Sequence, residues 1–475
     1  MLEIQKKLST PFLILLALPV TAMGLGLSMQ NAVLTWVLIT EYNLSPKDVG
    51  IVWSVGPIAA IFGTIIIGAL SDKTWFIGGR RKPYIIVGGI CTALAYFALP
   101  NIGFIAQSIG VFTILATAIA VSLFIDLSIN TSFNPTRSLV ADVTPIGKKR
   151  AQAFLWAQTI SGAVTGISLA IGALFGNYIL IYAGAIAIVF MMIVPILFIK
   201  EPRQLQLKDT RSKVTFSLTE TILIIRPLWG LGIYAIYAMV LNFADLPTVI
   251  WLEVLIIIIA FYFLFETAFR HSNSKVSNNI FQFQRNLAAN SVNWFGPFTI
   301  FIFLVALLKY RMPELDDKSL GSINNWALFI FNGVAIFLPM LVLNRFVEKY
   351  GSLATHIGAL WTMVAALILL YFFGYNSYVI WGIMLLAGIA WSSMITLPFA
   401  LYSQFADPHR MGYFTGVYNL SMIFAGLITS LRFGEFMENA ENKGLIYLIA
   451  AGMVFLSIVF WSRLKSSIAS KTSPS

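Results

Sequence analysis

The chain is poor in the residues that most catalytic and metal-binding sites are built from. It has one cysteine and three histidines, and Asp, Glu, Lys and Arg together make up only 11% of its 475 residues. Soluble domains carry about 25% charged residues, so an ordinary soluble domain is excluded at once. A single cysteine, Cys91, excludes an intrachain disulfide and a thiolate metal cluster. His271, His356 and His409 show no ligand spacing, so no metal is expected. The chain contains no Gly-x-Ser-x-Gly, no His-Glu-x-x-His and no Walker-type loop. The expectation is therefore that the protein is not an enzyme and uses no cofactor. Acidic residues are scarcer than basic ones, 20 against 31, which leaves a formal charge of +11.

What the chain has in abundance is apolar length. Hydrophobic residues make up 58%, and stretches of 18 or more recur, each long enough to cross a bilayer. The expected fold class is an all-α polytopic membrane protein with about 14 spans: 11–40, 49–70, 83–102, 108–133, 151–175, 178–199, 227–244, 248–269, 291–309, 324–344, 353–373, 378–402, 411–433 and 444–462. The first run is too long for a signal-peptide core of ~7–15 residues and reads as a retained span. With the N-terminus inside, 25 of the 31 Lys and Arg fall on the cytoplasmic side and 6 outside. That asymmetry obeys the positive-inside rule and places both termini in the cytoplasm. The positive charge then faces anionic lipid headgroups, and no nucleic-acid partner is expected.

The same census organises the middle of the chain. Residues 227–269 hold two apolar stretches separated by Asp245-Leu246-Pro247-Thr248. Only an even number of crossings there keeps the later basic residues inside. The expected plan is an N-terminal six-helix half (1–199), a basic cytoplasmic linker (200–226) and an inserted helix pair with its loop (227–285). A C-terminal six-helix half (286–475) follows, as in parallel repeats about an axis along the membrane normal. A weak echo supports the repeat: Ala141-Asp142 before Lys148-Lys149-Arg150 is matched by Ala406-Asp407 before His409-Arg410.

The most telling stretch runs from Asp126 to Asp142. A charged group inside a span costs roughly 2.5–3.5 kcal/mol on insertion scales and usually faces a bundle interior or a path for ions or solutes. On a helix, Asp126, Asn130, Asn134 and Arg137 fall within about 80° of one face. Low-dielectric surroundings disfavour a carboxylate's charged form, so Asp126 is expected to take up and release a proton as a cavity opens to each side. Asn130 and Asn134 offer donors and acceptors suited to hydroxyl-rich ligands. Gln30 and Asn31 in the first span, Trp391 in a late span, and Asn419 beside Tyr418 are further candidate substrate contacts. For the tryptophans, which include Trp36 and Trp294, packing or interfacial anchoring is the plainer reading. Asp72, Arg80, Arg81, Arg137 and Asp142 carry both charge signs at the cytoplasmic ends and are candidate gating residues. Glu253 and Glu266 lie near the ends of the inserted helix and receive no role.

At these residues the chain resembles a known family. Leu70-Ser71-Asp72 with Gly79-Arg80-Arg81-Lys82-Pro83 is similar to the cytoplasmic signature loop of the major facilitator superfamily, in the longer spacing of its sucrose and glycoside–pentoside–hexuronide branch. Asp126-Leu127-Ser128-Ile129-Asn130, Pro135 and Arg137 through Asp142 resemble the fourth helix of proton-coupled sucrose and maltose carriers. Gly388 through Ala400 resembles the tenth helix, and Met411-Gly412 through Asn419 the eleventh. Two features depart from that pattern: the extra pair at 227–269, and Ile423-Phe424-Ala425 where sugar-specific relatives often carry Pro-Gln.

The resemblance implies a monomeric, proton-coupled symporter of a small polar solute, a sugar or disaccharide, in the plasma (inner) membrane. Three alternatives stay open on the residues alone: another polar metabolite, sodium in place of the proton, and a non-transporting receptor or assembly factor. A scaffold has no need of an intramembrane carboxylate, so Asp126 discriminates against the last.

Overall fold

A computed structural model of the chain describes residues 5, 7–73, 75–76, 78–110, 113–145, 148–202, 218–270, 275–406 and 410–464. The secondary structure is helical, with a single isolated bridge, Phe76 to Gly79, among these residues. In chain order the helices are α1 (Thr10–Thr40), α2 (Pro46–Lys73), α3 (Lys82–Ala98, continuing through a 3₁₀ turn to Ile109), α4 (Ile114–Val143), α5 (Lys148–Phe175) and α6 (Asn177–Phe198). Then come the short α7 (Leu218–Ile224), α8 (Trp229–Phe243), α9 (Ile250–Phe269), α10 (Lys275–Asn293), α11 (Phe295–Arg311) and α12 (Asp317–Leu338). The last are α13 (Asn344–Tyr350), α14 (Ser352–Phe373), α15 (Ser377–Met394), α16 (Leu397–Tyr402), α17 (Met411–Ile428), α18 (Gly434–Asn439) and α19 (Leu445–Trp461). Among the described residues, eleven helical stretches are long and apolar enough to cross a membrane, and α19 is apolar but shorter.

Local signals start and bend these helices. Ser45 and Asp48 form a reciprocal cap on α2: Asp48 N–H donates to Ser45 Oγ at 3.2 Å, and Ser45 N–H to the Asp48 carboxylate at 3.3 Å. Pro46 takes the first helical position, where its missing N–H costs nothing. Thr113 caps α4 by accepting from Ala116 N–H. Between α5 and α6 the chain reverses at Gly176, whose φ of +99° favours glycine. Two π-helical segments, Pro339–Leu343 after α12 and Thr429–Phe433 after α17, interrupt the regular hydrogen-bond ladder. Such segments are frequent at functional sites.

The fold falls into two compact units. The first comprises 1–210 together with 308–329, and the second 211–307 together with 330–475. In the first, α1 packs chiefly on α5 and α6, α2 on α4, and α3 on α4 and α6. The first half of α12 belongs here through its polar edge. Trp36 Nε1 donates to the Asp317 carbonyl at 2.7 Å, Asn324 Nδ2 to the Ala32 carbonyl at 3.2 Å, and Asn325 Nδ2 to Asn177 Oδ1 at 2.6 Å. In the second unit α14 packs on α15 and α19, and α10 on α19 and α17.

Several spans differ in their ends from the expectation, the third reaching Ile109 and the tenth starting at Asp317, and two others depart most. The fourth runs 114–143 rather than 108–133: the polar stripe from Asp126 onward lowers hydropathy, but the helix continues through Pro135 to Val143. The ninth begins at Lys275 rather than 291, because Asn278, Gln282, Arg285 and Asn286 are helical residues and not a loop. The inserted stretches form a hairpin, α8 and α9, closed by residues 244–249. Gly230 lets it close, since a Cβ there would fall on the Ala260 backbone. Ile236, Ile250, Trp251, Ile258 and Tyr262 on the hairpin are exposed, an apolar surface suited to lipid.

Candidate functional site

α4 carries Asp126 into the interior of the first unit, where it is 7% exposed. Gln30 Nε2, from α1, donates to both carboxylate oxygens, at 3.1 and 3.2 Å. α2 approaches on the other side at Gly56, where an added Cβ would lie 3.1 Å from Asp126 Oδ2. A side chain there would press the carboxylate to shift by a few tenths of an ångström. Among the described residues Asp126 has no ion-pair partner. A buried carboxylate held by a neutral amide is the central feature of this unit.

The other candidates around it separate. Asn130 is half-buried, and its Nδ2 donates to the Asp126 carbonyl at 2.8 Å, so that donor is engaged within α4. Asn31 and Asn134 are half-buried. Arg137 is exposed, its guanidinium 4.1 Å from the Phe133 ring centroid, and it forms no ion pair among the described residues. A gating role as half of a charge pair therefore finds no partner for Arg137. In the second unit, the half-buried Trp391 packs against Trp294, Phe301 and Phe331, and Asn419 is exposed.

At the other end of α4, Asp142 meets Arg81, with Oδ2 3.2 Å from Nε and both side chains largely buried. Glu201, just past α6, accepts the backbone N–H of Arg80 at 2.7 Å, of Arg81 at 3.1 Å and of Lys82 at 2.8 Å. A carboxylate on the first N–H groups of α3 satisfies donors the helix cannot and complements its dipole. Arg80 is half-buried, with Nε and Nη2 unpartnered. Asp72 lies in α2 with its side chain outside what the structure describes. The linker cations Lys208, Arg211 and Lys213, and the echo at Asp407, are outside the described residues.

Three arrangements were not anticipated. Glu201 was the first; its only sequence signal is an acidic residue opening an otherwise basic stretch. In the second unit Arg410 grips Glu220 of α7 through two hydrogen bonds, at 2.7 and 2.9 Å, and the guanidinium holds the Glu220 carboxyl below the usual carboxylate range. Finally, Glu253, to which no role was given, accepts from Arg432 at 2.8 Å on each oxygen and from Tyr234 Oη at 2.7 Å. Glu435 completes this cluster by pairing with Arg432 and accepting from Thr248. Glu266 pairs with Arg226 and Arg270.

A sequence profile of the Major Facilitator Superfamily matches residues 16–255, half of the chain. The chain belongs to the major facilitator superfamily. Among characterised relatives, Sucrose transport protein SUC4 of Arabidopsis thaliana is 23% identical over 154 residues, covering 31% of this chain and 30% of that protein. Sucrose transport protein SUC3 of the same plant is 28% identical over 179 residues, 35% of this chain and 30% of that one. The General alpha-glucoside permease of Schizosaccharomyces pombe is 27% identical over 168 residues, 32% and 29% respectively. The matched stretch thus spans about a third or less of these relatives' length. Among solved structures, the nucleoside transporter NupG superposes with a TM-score of 0.64 at 13% identity, over 96% of this chain and 100% of that one. The inward-open xylose transporter XylE from E. coli gives 0.64 at 12%, covering 97% of each chain. These likenesses show the fold, that of a multi-pass membrane protein of the major facilitator superfamily.

Proposed function

We propose that the protein is a secondary active transporter that moves a small polar solute, a sugar or glycoside such as a disaccharide, by proton symport through alternating access. It works as a monomer in the plasma membrane with both termini in the cytoplasm. The observation that carries this reading is the buried Asp126 carboxylate, whose side-chain partner among the described residues is the neutral amide of Gln30. An ionised carboxylate accepts from the Gln30 NH₂ group. A protonated one donates to the Gln30 carbonyl once the amide turns over. Both protonation states are thereby satisfied without a counter-ion, as a site that loads and releases a proton requires. The sugar assignment is supported by the sucrose and α-glucoside carriers among the relatives.

The hydrogen bonds from α12 to α1 and α6 are those that must break when the path opens at that end. The Arg81–Asp142 pair with the Glu201 cap is the counterpart at the cytoplasmic end. The test is uptake by purified protein in proteoliposomes, with a panel of disaccharides under an imposed proton or sodium gradient. Accumulation of a sugar driven by the proton gradient is expected. Accumulation driven by sodium alone overturns proton coupling, and no uptake of any sugar overturns the substrate class.

A further inference from the structure

A tyrosine hydroxyl of α3 sits inside the hydrogen-bond ladder of α1. Tyr96 is fully buried. Its Oη donates to the Gly26 carbonyl at 2.5 Å and accepts the backbone N–H of Gln30. In a regular α-helix those two groups, four residues apart, bond to each other. The hydroxyl therefore bridges the helical pair that closes at Gln30. A side chain entering the ladder in this way is one of the few causes of a local bend in a helix. The turn concerned is the one that carries the Gln30 side chain to Asp126, where Nε2 stands 3.1 and 3.2 Å from the two carboxylate oxygens. Three helices meet there: a Cβ on Gly26 would touch Ile129 of α4 at 3.4 Å and Thr92 of α3 at 3.8 Å.

Packing alone does not call for this hydroxyl. A phenylalanine would fill the same space, and Gly26 and Gln30 would then bond to each other, leaving no backbone group unmet. What the hydroxyl fixes is the height and tilt of Gln30 against α4. The other titratable or charged groups on the helices packed against α4 lie elsewhere along them. α1 has none. Those of α2 are at its ends, Lys47, Asp48, Asp72 and Lys73, and those of α5 at its start, Lys148 to Arg150. α3 has Lys82 and Tyr84 in its first turn, and Cys91. On α4 itself, Arg137 and Asp142 are three or more turns from Asp126.

We propose that Tyr96 is a positioning residue for the proton site: by bridging Gly26 and Gln30, its hydroxyl sets the turn of α1 from which Gln30 reaches Asp126. This rests on reading Asp126 as the group that loads and releases the coupled proton.

The test is the titration of Asp126, followed by infrared spectroscopy on reconstituted protein with no solute present. The carboxylic-acid C=O band that Asp126→Asn removes reports the protonated form. Its midpoint is read in wild type, Tyr96→Phe, Gln30→Leu and the double variant. Tyr96→Phe is expected to move the midpoint by about one pH unit, in the same direction as Gln30→Leu, the size of one weakened hydrogen bond to a charged group. In the double variant the midpoint should be that of Gln30→Leu alone, because Tyr96 acts through Gln30. A midpoint that Tyr96→Phe leaves in place, or shifts that add in the double variant, overturns the proposal. A hydroxyl that serves packing alone gives one of those two results. The titration needs no sugar, so it is decided apart from transport. Wild-type protein that takes up no sugar under a proton gradient overturns the transport reading, and the midpoints still decide Tyr96. A wild-type Asp126 band that does not titrate at all overturns both.

Discussion

Two carboxylates inside apolar helices, the buried Asp126 and the half-buried Glu253, one in each unit, have opposite company. Asp126 on α4 faces the neutral Gln30, while Glu253 on α9 is held by both arms of Arg432, with Tyr234 beside it. A carboxylate bridged by a guanidinium has its geometry fixed. A carboxylate bonded to an amide is free to exist in either protonation state. The difference assigns them different work. The Arg432 cluster fastens the inserted hairpin to the helix that follows α17, whereas the Asp126 carboxylate has no cation beside it among the described residues. Buried charge is therefore not by itself the mark of a transport site; the chemistry of the partner decides.

The largest effect expected from breaking this contrast is at Arg432. Arg432→Met strands the half-buried Glu253 and Glu435 without their cation, which costs about 1–3 kcal/mol for hydrogen bonds to a charged group. Thermal unfolding in detergent micelles should show a clear loss, and an unchanged midpoint would mean that the cluster holds nothing. Next is a substitution that makes the first site resemble the second. Gln30→Lys turns the neutral contact at Asp126 into an ion pair. It should erase the pH dependence of uptake and lower accumulation by about tenfold or more, the loss of one coupling free energy of typical size. Undiminished pH-driven accumulation in that variant would remove the significance of the amide partner.

The smallest effect belongs to the half-buried pair Glu220–Arg410. Glu220→Gln should change stability by about 0–1 kcal/mol. The wild-type carboxyl is held below its ordinary value by Arg410. Its contribution is therefore fully present above the unfolded-state value and fades only as pH falls through the lowered one. Stability measured between pH 5 and 8 should be parallel in wild type and variant. A divergence within that window would show that the pair titrates where it is not expected to.

The fold class was legible because the length of the apolar runs is written directly in the sequence. The two boundaries that depart most share one physical cause. The Asp126–Asp142 stripe and the Asn278–Asn290 segment are polar residues on helices that bury them, and a hydropathy reading takes burial of polar residues for a loop. In the site, Asp126 stood out as a lone charge in a span. Its contact with Gln30, across 96 positions of sequence, depends on how α1 meets α4. The opposite charges at the cytoplasmic ends were visible, and Arg81 with Asp142 is the pair that forms. Glu201, Glu220 and Glu253 were not read as partners because each finds its cation or N–H groups more than 100 residues away. Tyr96 was passed over because an aromatic residue in a span reads as packing, and the place of its hydroxyl between Gly26 and Gln30 exists only in the folded unit.

The central claim is that Asp126 couples solute movement to protons, and its most direct test is accumulation by Asp126→Asn in proteoliposomes under an imposed proton gradient. Asparagine keeps the shape and the contact with Gln30 but cannot exchange a proton in this range. The account predicts that the variant equilibrates the solute, at an internal-to-external ratio of about 1 because the gradient can no longer be transmitted, while still binding and exchanging it. Accumulation against the solute gradient with the wild-type pH dependence would contradict the account and make Asp126 a structural residue.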